Sequence, residues 1–339
     1  CEPRFPLGNP LFRTAVRSMK CDFARAQKKI SLEVQYLRYA QFLRISRTAK
    51  YAAFFEIAQA LILNFLRHHL KSDFLRVHQG MITAGIDIGS ITAKAALIEE
   101  NRLLGTRLQF TGYNAQKAGK AVLEELIAQT GVQREQIALV VSTGYGRNSV
   151  DFADKAITEI TCHGAGAHFI DPETRFVIDV GGQDSKVIKI DAAGKVLDFA
   201  MNDKCAAGTG RFLEVMARAM EADLDDFGEI SARADNPASI SSICTVFAES
   251  EVISLISKGE TRENMIAGIH ESVASRISAM ARRVGVIEPV MMTGGVARNP
   301  GVVRALEKKL GVEIRVSPHA QLNGAIGAAL LAARMQQAA

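Results

Sequence analysis

The chain has 339 residues, 48% hydrophobic and 23% charged, the composition of a soluble globular protein with apolar surface for one large or two ordinary domains. Its formal charge of +5 is unevenly spread, because residues 1–80 hold 14 Lys/Arg against 5 Asp/Glu and the remainder is mildly acidic, so no nucleic-acid partner is expected. Five irregularly spaced cysteines exclude a secreted disulfide framework, and with no signal-peptide pattern at the start they give a reducing, cytoplasmic expectation.

Residues 1–80 contain only Gly8 and Gly80 of the 27 glycines, yet 11 of the 21 Phe and Tyr residues. Their most apolar run, Ala52 to Leu66, is broken by Glu56, Gln59 and Asn64 and reads as an amphipathic helix, with no membrane span. The segment is either upstream sequence before a natural start at Met81 or a basic helical docking arm; its weak helix punctuation and lack of a motif favour the first.

From Met81 the grammar is α/β. Strands are predicted at Ile82–Ile88, Ala93–Ile98, Leu103–Phe110 and Ile137–Ser142, with a helix at Ala115–Gln129. Three strands in succession before the first helix imply a mixed sheet with an antiparallel edge. Further strands are predicted at Arg175–Val180, Lys186–Asp191, Val290–Thr293 and Glu313–Val316, with helices over most of Gly208–Val284. The expected division is 1–80, then an N-terminal lobe at 81–176 and a C-terminal lobe at 177–339.

Two segments repeat. Asp87-Ile-Gly-Ser-Ile-Thr-Ala-Lys94 aligns with Asp179-Val-Gly-Gly-Gln-Asp-Ser-Lys186, each at the end of an apolar strand. A glycine turn lets backbone N–H groups approach phosphate oxygens without Cβ interference, and an Asp at the strand tip can hold a hydrated Mg²⁺. One Asp-x-Gly turn is an ordinary hairpin; two matched copies can grip one triphosphate. Met292-Thr-Gly-Gly-Val-Ala-Arg-Asn299 adds a third glycine turn, where Gly294 and Gly295 would let backbone pack flat on an adenine or ribose. This order of turns resembles the actin, Hsp70 and sugar-kinase superfamily, implying a duplicated, two-lobed, ribonuclease H-like ATPase fold.

Cys205 and Cys244 each stand just before or at the start of a predicted helix, where the thiolate is favoured, and in polar Gly/Ser/Thr-containing segments. A single cysteine is more often a buried small hydrophobe. A [4Fe–4S] cluster needs four thiolates, so a cluster on these two would draw two from each of two chains in a symmetric homodimer.

Residues 81–335 resemble the ATP-dependent activators of (R)-2-hydroxyacyl-CoA dehydratases and their siblings among benzoyl-CoA reductase ATPase subunits. The likeness is carried by Ser142–Ser149, Ile178–Asp184, Met201–Leu213, Cys244–Ile253 and Met292–Asn299. The resemblance implies one [4Fe–4S] cluster bridging a homodimer, at the positions matching Cys205 and Cys244. It also implies loading by reduced ferredoxin or flavodoxin, and ATP hydrolysis to ADP driving the electron onto an acyl-CoA dehydratase or reductase component.

Within that frame Asp87 and Asp179 are assigned to Mg²⁺, directly or through water, with Gly89, Ser90, Gly181 and Gly182 near the phosphates. Gln183 is the candidate for positioning the attacking water, or else caps its turn. Glu249 faces either the nucleotide cleft or solvent. Lys94 and Lys186 are read as strand residues pointing to solvent, Cys162 as a buried thiol, and His163 and His168 as core or surface residues. Thr143-Gly-Tyr-Gly is a plain turn or a loop at the cleft or dimer face. The competing functions are a small-molecule kinase and a chaperone-like ATPase; neither an acceptor-site base nor a substrate-binding domain is evident.

Overall fold

The structure, a computed structural model, describes residues 80–338. The run from Ala52 to Leu66, Cys1 and Cys21 lie outside the described residues.

Two five-stranded sheets share one plan. The first contains β1 (Ile82–Ile88), β2 (Thr92–Glu99), β3 (Arg102–Phe110), β4 (Ile137–Thr143) and β5 (Lys155–Ala156), in the order β3-β2-β1-β4-β5. The second contains β6 (Phe176–Val180), β7 (Ser185–Ile190), β8 (Val196–Asn202), β9 (Val290–Thr293) and β10 (Ile314–Val316), in the order β10-β9-β6-β7-β8. In each, the first three strands meander antiparallel and the last two add parallel to the first. The repeat seen in the turns is therefore a repeat of whole sheets, and the fold is the duplicated, two-lobed α/β architecture. β1 and β6 are buried along their whole length, as strands covered on both faces must be.

The helices, in chain order, are α1 (Ala115–Thr130), α2 (Glu159–Ile170), α3 (Gly210–Ala219), α4 (Phe227–Ser231), α5 (Thr245–Ser257), α6 (Arg262–Val284), α7 (Pro300–Leu310) and α8 (Asn323–Ala338). Local chemistry fixes their ends. Asn114 accepts from Lys117 N at the start of α1, and Gly131 closes it in the left-handed conformation; Asn299, Pro300 and Gly311 do the same for α7. None of the described helices is long and apolar enough to cross a membrane.

Each lobe has its own core. Ile86, Ile88, Leu97 and Leu126 are fully buried in the first; Phe176, Phe212 and Phe227 in the second. α8 comes from the far end of the chain yet packs on the first sheet, across the division after residue 176, with Thr83 Oγ1 donating to Ala329 O at 2.8 Å. It also crosses α2 at close range, because a Cβ at Gly327 would run into the carbonyl oxygen of Cys162. α2 and α8 thus join the lobes at the floor of the cleft between them.

Candidate functional site

The glycine turns of both lobes meet in one cleft of about 740 Å³. Asp87, Gly89 and Ser90 line it from the β1–β2 turn; Asp179, Gly181, Gly182 and Gln183 from the β6–β7 turn; Gly294 and Gly295 from the turn after β9. Gly294 has φ +87, and a Cβ there would strike Val180 O, so the third turn can sit against the second only with glycine. Gln183 is exposed, and Glu249 lies half-buried on α5, outside the cleft lining.

The two lysines read as solvent-facing are turned inward. Register pairs Asp87 with Lys94 and Asp179 with Lys186 across their hairpins, on the same face of the sheet. Lys94 Nζ lies 3.2 Å from Asp87 Oδ2, and Lys186 Nζ lies 3.1 Å from Asp179 Oδ2, 2.8 Å from Asp184 and 3.7 Å from Glu159. Burial opposes the Lys186 charge, and Asp179, Asp184 and Glu159 together outweigh it and hold its pKa above the usual lysine range.

Asp179 is closed in on every side. Thr293 Oγ1 donates to its Oδ1 at 2.8 Å, and His163 Nδ1 lies 3.2 Å from the same oxygen. The same Nδ1 faces Asn323 Nδ2 at 3.2 Å, so the ring is held between Asn323 and Asp179 where it lines the cleft. Burial alone would raise the Asp179 pKa, but His163, Lys186 and the Thr293 hydrogen bond hold the carboxyl well below the usual range. Glu159, one turn before His163 on α2, behaves oppositely: burial pushes its carboxyl up against the pull of Lys186.

The cysteine segments lie beyond the β6–β7 turn. Gly210 N donates to Gly181 O at 2.9 Å and Arg211 N to Gly182 O at 2.8 Å, so the first turn of α3, just after the Cys205 segment, hangs directly from the glycine pair. Cys244 is the N-cap of α5. Cys205 Sγ lies 3.8 Å from Ile243 O, which brings the two half-exposed thiols into one neighbourhood. Among the described residues no group of three or more His, Cys, Asp or Glu side chains is arranged to hold a metal, so one chain offers a pair of thiols without a closed ligand set.

A family model described as the BadF/BadG/BcrA/BcrD ATPase family matches residues 84–332. The chain belongs to this ATPase family. Among curated relatives, the 2-hydroxyisocaproyl-CoA dehydratase activator of Clostridioides difficile is 50% identical over 252 residues, covering 74% of this chain and 95% of that one. The (R)-2-hydroxyglutaryl-CoA dehydratase activating ATPase of Acidaminococcus fermentans is 49% identical, covering 74% and 96%. The solved structure of the Acidaminococcus fermentans (R)-2-hydroxyglutaryl-CoA dehydratase component A matches with a TM-score of 0.73 at 47% identity, over 76% of this chain and all of that one. The Clostridium difficile activator, solved with bound ADPNP, matches with a TM-score of 0.71 at 48% identity, over 76% of this chain and 98% of that one.

In this BadF-type cleft, sequence reasoning missed Glu159, His163, Lys94 and Lys186. The lysines were legible, since the seven-residue Asp-to-Lys spacing in both copies is the cross-strand register of a tight hairpin. Glu159 and His163 left only a faint signal, an i, i+4 polar pair on one face of a helix otherwise made mostly of apolar and small residues.

Proposed function

We propose that the chain is an ATP-driven activator that delivers a low-potential electron to an acyl-CoA dehydratase or reductase component. It would work as a homodimer carrying one [4Fe–4S] cluster, held by Cys205 and Cys244 of each copy and loaded by reduced ferredoxin or flavodoxin. The observation that carries this reading is the tie between cleft and cysteines: the same Gly181–Gly182 pair that lines the phosphate end of the cleft holds the start of α3 by two backbone hydrogen bonds. A change in that turn on hydrolysis would be passed to the Cys205 segment.

The donor sets fit both absent groups. Two half-exposed thiols, Cys244 at the N-cap of α5 and Cys205 in the non-helical segment five residues before α3, suit a shared iron–sulfur site, which supplies a one-electron store when bound. At the phosphate end, Asp87, Glu159, Asp179 and Asp184 outnumber Lys94 and Lys186, a negative environment in which a triphosphate needs a divalent cation. Both Asp179 oxygens already have protein partners, so Asp179 would act on the water shell of Mg²⁺, which gives up its waters reluctantly. Gln183 is assigned to orienting the attacking water, and Gly294–Gly295 to the adenosine side.

The test is anaerobic purification with iron analysis and electron paramagnetic resonance. About four irons per dimer and a reduced cubane signal are expected; iron-free protein that still activates a dehydratase would overturn the proposal. Cys205→Ser should abolish the signal while Mg-ATP still binds.

A further inference from the structure

One side chain touches both cysteine segments. Arg276, on α6, donates from Nη1 to Ser242 O at 3.1 Å, two residues before Cys244. Its aliphatic stem lies against Gly208, three residues after Cys205, where a Cβ would come within 3.0 Å of Arg276 Cδ and φ is +83. Ser272, one turn earlier on α6, donates to Ser241 O at 3.0 Å, and Glu251 Oε2 accepts from Ser241 N at 2.6 Å. The segment leading into Cys244 is therefore pinned at successive residues, and Arg276 alone of these anchors also reaches the Cys205 side. Arg276 is half-buried, and among the described residues no carboxylate is within ion-pair distance of it.

A guanidinium is permanently charged, and partly screened charge acts over roughly 8–10 Å. Its hydrogen bond to Ser242 O and its stem against Gly208 set that charge between the two cysteine segments, with no carboxylate partner among the described residues, where it acts on what the thiols bind. We propose that Arg276 is a positioning residue for the thiol pair: it locks the Cys205 and Cys244 segments together and supplies the positive charge that favours the reduced, more negative state of a bound cluster. This rests on the reading that the two cysteines hold such a cluster. A residue that merely satisfied the Ser242 carbonyl would leave the reduction potential unmoved.

The experiment uses the full chain, purified anaerobically as wild type, Arg276→Gln and Arg276→Lys. It measures the midpoint potential by dye-mediated titration read by electron paramagnetic resonance, iron release to a chelator, and Mg-ATP binding as a check of the fold. Arg276→Gln is expected to shift the midpoint to more negative potential and to release iron several-fold faster. Arg276→Lys should keep the midpoint near wild type while releasing iron faster, since it keeps the charge and the stem against Gly208 but loses the planar donor aimed at Ser242 O. Cluster loss in Arg276→Gln with retention in Arg276→Lys supports the same assignment. A midpoint and release rate unchanged in Arg276→Gln, or equal shifts or cluster loss in both variants, would overturn it while leaving the cluster reading intact. Wild-type protein without a cluster would overturn both.

Discussion

Lys186 Nζ sits 3.1 Å from Asp179 Oδ2, deep in the second lobe, as Lys94 Nζ sits 3.2 Å from Asp87 Oδ2 in the first. The pairs are equivalent by register but unequal in burial: the Lys186 side chain is 3% exposed and that of Lys94 13%. Removing Lys186 strands Asp179, Asp184 and Glu159 without their shared cation. Lys186→Met should therefore destabilise the protein by roughly 3–5 kcal/mol, and Lys94→Met by less, since water can reach the abandoned Asp87. Urea unfolding of both variants checks the order; equal losses would mean that the two pairs are equally shielded.

For ATP turnover, Gln183→Ala should slow hydrolysis by roughly a hundredfold with Mg-ATP affinity little changed, because a misplaced attacking water costs rate without costing binding. The matched measurement is Glu159→Gln, since Glu159 is the cleft carboxyl whose pKa burial raises. Full turnover in Gln183→Ala together with loss in Glu159→Gln would transfer the role from the exposed amide to the buried acid.

The three described cysteines should separate by reactivity. Burial pushes the Cys162 thiol up to about 12, so near pH 8 almost none of it is thiolate, whereas Cys205 and Cys244 are half-exposed. Brief iodoacetamide treatment of folded, iron-free protein, mapped by peptide mass spectrometry, should label Cys205 and Cys244 and spare Cys162. Labelling of Cys162 at a comparable rate would mean that α2 and α8 open readily.

How much of this was legible follows from what each residue depends on. β1 and β9 fall where their apolar runs place them, at Ile82–Ile88 and Val290–Thr293, because a buried strand bounded by glycine turns is a local signal. β8 was missed because Leu197, Asp198 and Phe199 are all exposed, which breaks the alternation that marks a half-buried strand. α8 gave no helical stripe, since Ala325, Ile326, Ala328, Ala329 and Leu330 are buried around most of its girth between α2 and the first sheet. The site divides in the same way: the Asp turns announced themselves by repetition, but His163 matters only because folding brings it to Asp179.

His270 ties stability to pH. It is 2% exposed, with Asn299 Nδ2 donating to Nε2 at 3.2 Å and Nδ1 facing Ser231 Oγ at 3.1 Å, a neutral-ring arrangement. Burial, with Arg304 adding to it, lowers its pKa from 6.5 to about 3. The unfolded chain takes up this proton below about pH 6.5 and the native chain does not, so this stability is full above that pH and declines as pH falls toward 3. The slope is at most about 1.4 kcal/mol per pH unit. His270→Gln should flatten the change between about pH 7.5 and pH 5 in urea melts; an unaltered slope would locate the acid sensitivity in other groups.

The α2–α8 crossing offers the sharpest mechanical test. A Cβ at Gly327 would meet backbone, the Cys162 carbonyl oxygen, with the Gly166 nitrogen at 2.8 Å, so no side chain can move aside to admit it. Gly327→Ala must push the helices apart, at a cost of about 1–3 kcal/mol or more by the usual penalty for overpacking. The displacement has a functional reading as well, because α2 carries Glu159 and His163 into the cleft and His163 holds Asp179. Gly327→Ala should therefore lose Mg-ATP affinity along with stability, measured by nucleotide titration and urea unfolding on the same preparation. Stability lost with affinity intact would mean that the helices separate without moving His163, and that Asp179 keeps its geometry from Thr293 and Lys186 alone.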